Sequence, residues 1–429
     1  MRRLVPAFVP RSSIVCFRLV VGALVLLLSD AAAADITIVK SGTWEVYTRG
    51  QVNGFVTYGW GDANPIALTP DEVLRPLATL EVHNDSVPKL GPDGQTYVQG
   101  TFQSFRVRSG YIPNVFGLGF RQRLTEQMWL NVYIALWSTI ESQLQNKTIP
   151  IKSDAREGYL RIDGPWGSFL AGRAEELFSR GSSENDSLYA HRYGLGFPGN
   201  IDSVGPAVGL ITFGIMAQFP TPGLVYQTPN LWGLHLSAGL YDPAALEEVY
   251  DVVRFARPEA ELAYDVATTS FRMHLFADGE YQKLYRSGSN DSVISSGICY
   301  GGRFELGPVH LGIEGYYGPA LGLGFSLDPA ATRTFALRTF AGYSVLLQYS
   351  GGTFDINVGV GVSQGFEQQE DVDNNVSMLK RQIGYSAALV YHFTNYLHYD
   401  LDVLRSDATW YLGEKQVLTF VNTGLTADW

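Results

Sequence analysis

The chain has 429 residues, 46% hydrophobic and only 17% charged, with 31 Lys and Arg against 42 Asp and Glu and a formal net charge of −11. That acidic balance opposes nucleic-acid partners, whose phosphates require a basic footprint. The 46 glycines and 13% aromatics fit poorly with the two or three soluble domains that length alone would suggest.

At the N-terminus, Arg2, Arg3, Arg11 and Arg18 precede or flank the apolar run Leu19 to Leu28, and Ala32-Ala33-Ala34 precede Asp35. This order of charge, apolar core and small residues predicts a secretory signal over residues 1–34, cleaved after Ala34, with residues 35–429 as one mature domain. The run is about ten residues, short of the roughly twenty that a membrane-crossing helix needs. Cleavage would remove four arginines and Asp30, leaving 27 basic and 41 acidic residues and a net charge of −14. Of the two cysteines only Cys299 survives, so no intramolecular disulfide can staple the exported fold.

The first mature segment alternates. Trp44, Val46, Val52, Val56, Tyr58 and Trp60 share one face, and Glu45, Tyr47, Arg49, Gln51 and Asn53 the other. A period of two with one apolar and one wet face is a strand that buries one side, either on a soluble core or against lipid. The repetition of the pattern to the last residue decides for lipid. It predicts strands over residues 43–60, 102–121, 128–141, 156–164, 167–177, 222–228, 231–241 and 257–265, then 271–282, 297–305, 309–318, 334–349, 353–365, 382–393, 396–405 and 415–429. Many of these approach the ten or so residues of a tilted membrane strand, and a closed sheet is the one β arrangement that satisfies every backbone group in lipid. The expected fold is all-β, a sixteen-stranded antiparallel transmembrane β-barrel.

The connections alternate between short and long, as in outer-membrane barrels with tight periplasmic turns and extended external loops. Short ones include Gly164-Pro165-Trp166-Gly167, Pro229-Asn230, Leu306-Gly307-Pro308 and Ser350-Gly351-Gly352; long ones centre on residues 61–101, 142–155, 178–221, 242–256, 283–296, 319–333, 366–381 and 406–414. Both termini then lie on the periplasmic side. Trp44, Trp60, Trp129, Trp166, Trp232 and Trp429 fall near strand ends and read as interfacial girdles. In the fourth loop Asp242-Pro243, followed by Glu247, Glu248, Val249, Val252 and Val253, predicts a short capped helix.

The stretch from Phe116 to Arg121 and the longer one from Arg156 to Arg173, with its Gly164-Pro165-Trp166-Gly167 turn, resemble the early hairpins of Gram-negative general porins. The stretch from Gly223 to Gly233 resembles the hairpin those porins place after their long third loop. The resemblance implies a homotrimer in the bacterial outer membrane that passes small hydrophilic solutes and ions passively. It also implies a third loop, here residues 178–221, folded inward to narrow the lumen. Arg173 matches an arginine that lines the family's constriction, and Arg49 a basic residue of its first strand. Gly117 stands where the family often has another basic residue, and Phe197-Pro198-Gly199-Asn200 replaces the usual acidic loop tip.

On lumen parity the basic residues gather early, at Arg49, Arg106, Arg108, Arg161 and Arg173, and the acidic ones late, among them Glu259, Glu261, Asp278, Glu280, Glu314, Asp355, Asp400 and Asp402. Opposed charged walls would set a field across a water path, the alternative being solvated residues paired for stability. Glu175, Glu176 and Asp202 are the candidate acidic residues of the constriction loop, with Glu184 and Asp186 beside them. The seven His show no metal-ligand spacing, and Ser, His and Asp occur without a nucleophile motif, so neither a cofactor nor an enzyme is expected. A solute-selective channel, guided by Tyr189, Tyr193 and Phe197, and a surface adhesin or receptor using the first loop are the rival functions.

Overall fold

The computed structural model describes residues 35–67, 87–90, 96–110, 112–140, 154–186, 210–246, 250–323, 330–332, 334–374, 376, 378–411 and 413–429. The expected signal segment and Asp202 lie outside these. The chain begins as β1 (Ile36–Ser41), turns at Gly42-Thr43 and continues as the long β2 (Trp44–Asp62). In the first external loop β3 (Ile66–Ala67), β4 (Val87–Leu90) and β5 (Thr96–Gln99) form a separate three-stranded sheet. The second wall strand comes in two pieces, β6 (Thr101–Arg108) and β7 (Asn114–Arg123), both paired with β2.

There follow β8 (Trp129–Ser138), β9 (Asp154–Gly164) and β10 (Gly167–Glu175), then α1 (Arg180–Asn185) in the third loop, β11 (Pro220–Gln227) and β12 (Leu234–Tyr241). The chain goes on through the two-residue β13 (Val252–Val253), β14 (Arg257–Ala267), β15 (Phe271–Tyr285), β16 (Ser292–Leu306), β17 (Val309–Pro319), β18 (Thr339–Ser350) and β19 (Phe354–Phe366). After α2 (Gln369–Asp373) come β20 (Leu379–His392), β21 (Leu397–Trp410) and β22 (Lys415–Asp428). Each wall strand pairs antiparallel with the next and β22 pairs with β2, Asp428 opposite Gln51, so the sixteen-stranded wall closes.

The alternation in the sequence maps onto the two faces of this wall. On β2, Val52, Val56, Tyr58 and Trp60 are exposed while Asn53, Phe55 and Thr57 are buried; on β19, Ile356, Val358 and Val360 are exposed while Asp355 and Asn357 are buried. A soluble protein rarely exposes more than a few hundred Å² of contiguous apolar surface, and here the exposed apolar side chains run round the barrel, so this face meets lipid. Among the described residues no helix is long and apolar enough to cross a membrane; the strands do the crossing. At the periplasmic rim Trp166 stacks on Tyr226 with ring centroids 6.2 Å apart, and the Tyr226 hydroxyl donates to the Trp166 carbonyl at 2.7 Å. Trp129 departs from the girdle reading. Its pairing with Asp163 turns it toward the periplasmic mouth of the lumen.

The wall strands match the sequence expectation to within a few residues at most ends, and the differences have physical causes. β1 has no alternating burial to reveal it, since all six of its residues are exposed. It takes over the edge of β2 where β22 stops: Trp429 exchanges backbone hydrogen bonds with Gly50, and Ile36 faces Thr48. The second strand breaks at residues 109–113, where Pro113 offers no N–H and Asn53 and Asn114 side chains replace the ladder. The turn expected at Pro229-Asn230 widens to residues 228–233, because Asn230 Oδ1 captures the Gly233 N–H at 2.7 Å and Trp232 takes a left-handed backbone with φ 58°. Residues 247–249 of the expected fourth-loop helix lie outside the described residues; on either side of them Leu246 and Tyr250 form an antiparallel bridge, and β13 pairs with β15.

Two external loops are strapped together at the rim. Arg338 donates through Nε and Nη2 to Asp371 at 2.9 and 2.6 Å, with both side chains almost fully buried. Burial alone would raise the Asp371 carboxyl, but this fork and the Gln368 N–H hold it below its ordinary range. A depressed carboxyl adds stability above its unfolded pKa, near ~4, and loses it as pH falls through its own lower value. Amide protection over residues 368–374, read by hydrogen exchange, is therefore expected to hold from neutrality to about pH 4 and to fall only below that. Loosening already at pH 5 to 6 would contradict the assignment.

Candidate functional site

The described limbs of the third loop, residues 176–186 and 210–219, lie inside the barrel, and the acidic inner wall is the socket of the first. Beyond β10 the N–H groups of Leu177 and Phe178 both donate to Glu259 Oε2, at 2.9 and 2.8 Å, and that of Ser179 to Asp278 Oδ1 at 3.0 Å. Arg257 pairs with Glu176 and with Glu259 at 2.8 Å and lies 3.9 Å from Glu280. Arg180 Nε donates to Glu261 at 2.8 Å, and its Nη2 reaches the Ser237 hydroxyl at 3.2 Å. Arg257, Glu259, Glu261, Asp278 and Glu280 are all buried, so these bonds act in a medium where charge-assisted contacts are strong and unmatched charges costly.

The returning limb is apolar and crosses to the far wall. Leu210, Ile211, Phe213 and Ile215 pack with Leu346, Leu404, Leu418 and Phe420. The Gly214 N–H donates to the Ser363 hydroxyl at 2.9 Å, the Gln382 amide donates to the Thr212 carbonyl, and the Ser179 hydroxyl ties the two limbs through Met216 O at 2.7 Å. Gly361 makes the close approach possible, since a Cβ there would stand 1.7 Å from the Phe213 carbonyl oxygen.

What the described part of the loop leaves open is the arc of β2, β7, β8, β9 and β10. A cavity of about 400 Å³ near the periplasmic mouth is lined by Arg49, Arg121, Trp129, Asn131, Tyr159, Arg161 and Asp163. Arg161 also borders a second, smaller cavity of about 50 Å³, here called the neck, where Arg161 and Leu170 of the wall face Glu175, Leu177 and Arg180 at the loop root. Tyr47 stacks on Tyr133 and Tyr133 lies beside Tyr159, with centroids 6.4 and 5.5 Å apart. Gly117 and Gly119 provide the space: a Cβ on Gly119 would stand 2.0 Å from the Tyr47 ring, and one on Gly117 2.1 Å from the Tyr133 hydroxyl. The Arg121 guanidinium rests 4.7 Å over Tyr47.

Each arginine has a carboxylate neighbour. Arg49 and Arg121 both bind Asp35, at 2.7 and 2.9 Å, Arg121 also binds Glu45 at 2.6 Å, and Arg161 binds Asp163 at 2.7 Å. Exposure is unequal, however. The side chains of Arg49, Arg121 and Arg161 are 50, 33 and 43% exposed, against 18, 13 and 39% for Asp35, Glu45 and Asp163. Water in the cavity thus meets more guanidinium than carboxylate, and a low-dielectric wall focuses that field.

Of the residues singled out from sequence, Arg49 and Arg161 line this cavity. Arg106 and Arg108 also point inward, opposite Thr57 and Phe55, but on β6 above the strand break, at another level of the wall. Arg173 corrects the parity reading. The two-residue turn at Pro165-Trp166 pairs Arg161 with Leu170 and Tyr159 with Gly172, so Arg173, opposite Gly158 and Pro222, lies on the outer face. There it donates to the carbonyls of Pro220 and Ala155. Glu175 borders the neck, whereas Glu176 is a buried anchor that accepts from Arg257, Thr221 and the Phe219 N–H. Sequence reasoning missed Arg121, Arg180 and Arg257 as site residues; the parity of Arg121 opposite Glu45 was the readable signal.

The closed sixteen-stranded wall, with the described limbs of its third loop packed inside, has the fold of a porin-type β-barrel. Three solved structures with this fold cover nearly the whole chain. The outer-membrane channel DcaP of Acinetobacter baumannii aligns with a TM-score of 0.62 at 13% identity, covering 92% of this chain and 100% of its own. The anion-selective porin of Comamonas acidovorans gives 0.55 at 13% identity, over 90% and 100%. OmpF of Salmonella typhi, solved with daunomycin, gives 0.51 at 12% identity, over 92% and 100%. No family model matches the chain, and no curated protein matches it in sequence.

Proposed function

We propose that the chain is a passive diffusion channel for small hydrophilic solutes and ions, with a preference for anions. The observation that carries the preference is the cavity at the periplasmic mouth, where three guanidinium groups, Arg49, Arg121 and Arg161, meet water against one comparably exposed carboxylate, Asp163, while Asp35 and Glu45 are withdrawn. Anions concentrate in such a field, while the neck beside Arg161 and Arg180 sieves by size. Residues 1–34 act as the export signal in this reading, residues 35–429 form the channel, and the working unit is a homotrimer.

A solute-selective channel is the second reading, favoured by the Tyr47, Tyr133 and Tyr159 rings beside Arg121, a surface suited to flat organic anions. Proteoliposome swelling tests the first reading. Pentoses and small carboxylates are expected to enter at rates that fall steeply with solute size. Liposomes carrying folded protein yet swelling no faster than empty ones would overturn it, and entry that saturates with one carboxylate would select the second reading.

A further inference from the structure

The outer wall bears a groove of about 640 Å³ between β14 and β17, in the half of the barrel nearest the external loops. Its floor is one row of paired residues, Ala260, Gly279, Ile298 and Tyr317, each opposite the next across four strands. Within that row Gly279 and Ala260 leave the depression, and the larger Ile298 and Tyr317, with Tyr281 beside them, each about half exposed, rise around it. The surface is apolar and faces the membrane, as an acyl chain requires.

Directly above, on the same outward face of β15, come Lys283 and then Tyr285. Arg254 lies in the break between β13 and β14 on the same outward alternation as Val252 and Ala260, its guanidinium 4.1 Å over the Tyr285 ring, with Lys283 Nζ 5.2 Å from the same ring. Phe255, 66% exposed, projects beside them. Asp251 and Asp291 belong to the same pair of loops, yet among the described residues neither Arg254 nor Lys283 pairs with any carboxylate, and Arg254 makes only long contacts to Ser289 and Asn290. Two cations on an aromatic platform, placed at the head-group level above an apolar groove, match a phosphate above an acyl chain.

We infer that this face binds a phosphorylated glycolipid of the outer leaflet, with an acyl chain in the groove and a phosphate on Arg254 and Lys283. Native mass spectrometry of the full-length folded barrel, released from detergent after incubation with diphosphoryl lipid A or with phosphatidylethanolamine of matched chain length, tests it. Retention of lipid A over phosphatidylethanolamine is expected, falling about tenfold in the double variant Arg254→Glu, Lys283→Glu. Ala260→Trp, which fills the groove and leaves the cations, should lose lipid A as well. Single-channel conductance should be unchanged in all variants, so failure of the lipid site is separable from failure of the pore. Equal retention of the two lipids, retention unaffected by the variants, or copies of the chain cross-linking through an Ala260→Cys variant, which would make the groove a protein interface, would each overturn the inference.

Discussion

Replacing Arg257 by alanine should release the root of the third loop and raise single-channel conductance roughly twofold, since that root forms one side of the neck. Arg257 is 4% exposed, and its guanidinium answers Glu176, Glu259 and Glu280 at once. Its loss takes the shared cation away from three buried carboxylates, and breaking one buried ion pair typically costs about 3–5 kcal/mol. Sixteen strands and their lipid contacts keep the wall itself closed, so the cost falls on the loop. The wall's resistance to heat in detergent should stay near that of the parent protein, while protease reaches residues 176–186. A variant that conducts like the parent would show that the returning limb alone, through Phe213 and the cluster around Leu346, holds the loop in place.

The second large effect concerns charge. The double variant Arg49→Glu, Arg161→Glu exchanges two exposed positive groups for negative ones at the mouth and neck. Potentials of several kT arise in such narrow, low-dielectric clefts, so the anion-to-cation permeability ratio should shift by about tenfold, to cation preference. Arg173→Glu is the matched control, because that residue stands on the outer face opposite Gly158 and Pro222. It should leave selectivity where it was. A comparable shift from Arg173→Glu would contradict the assignment of faces.

The wall was legible because one repeating physical constraint writes it. Every membrane strand must put apolar residues outward and tolerate polar ones inward, and residues such as Val52, Val56, Tyr58 and Trp60 record that directly. Strand pairing was less legible. Arg173 was misplaced although the expected turn formed: across the two-residue turn at Pro165-Trp166 Arg161 faces Leu170, so inward residues change from odd to even numbers and Arg173 falls on the outer side. The candidate site was the hardest to read, since alternation says which side of the wall a residue takes and nothing about what fills the lumen. Glu259, Glu261 and Asp278 stood on the inner face as expected, but as buried acceptors for Leu177, Phe178, Ser179 and Arg180. Their partners are mostly backbone N–H groups of a loop distant in sequence, which no side-chain pattern announces.

The most direct test of the central claim is the reversal potential of single channels formed by the purified, refolded protein in planar bilayers under a salt gradient. Stepwise ohmic openings with a reversal potential of the sign set by anion flow are the expected result. Openings that reverse with the cation sign would show that the withdrawn carboxylates, Asp35 and Glu45, govern the passage, and a folded barrel without any conductance would contradict the channel itself.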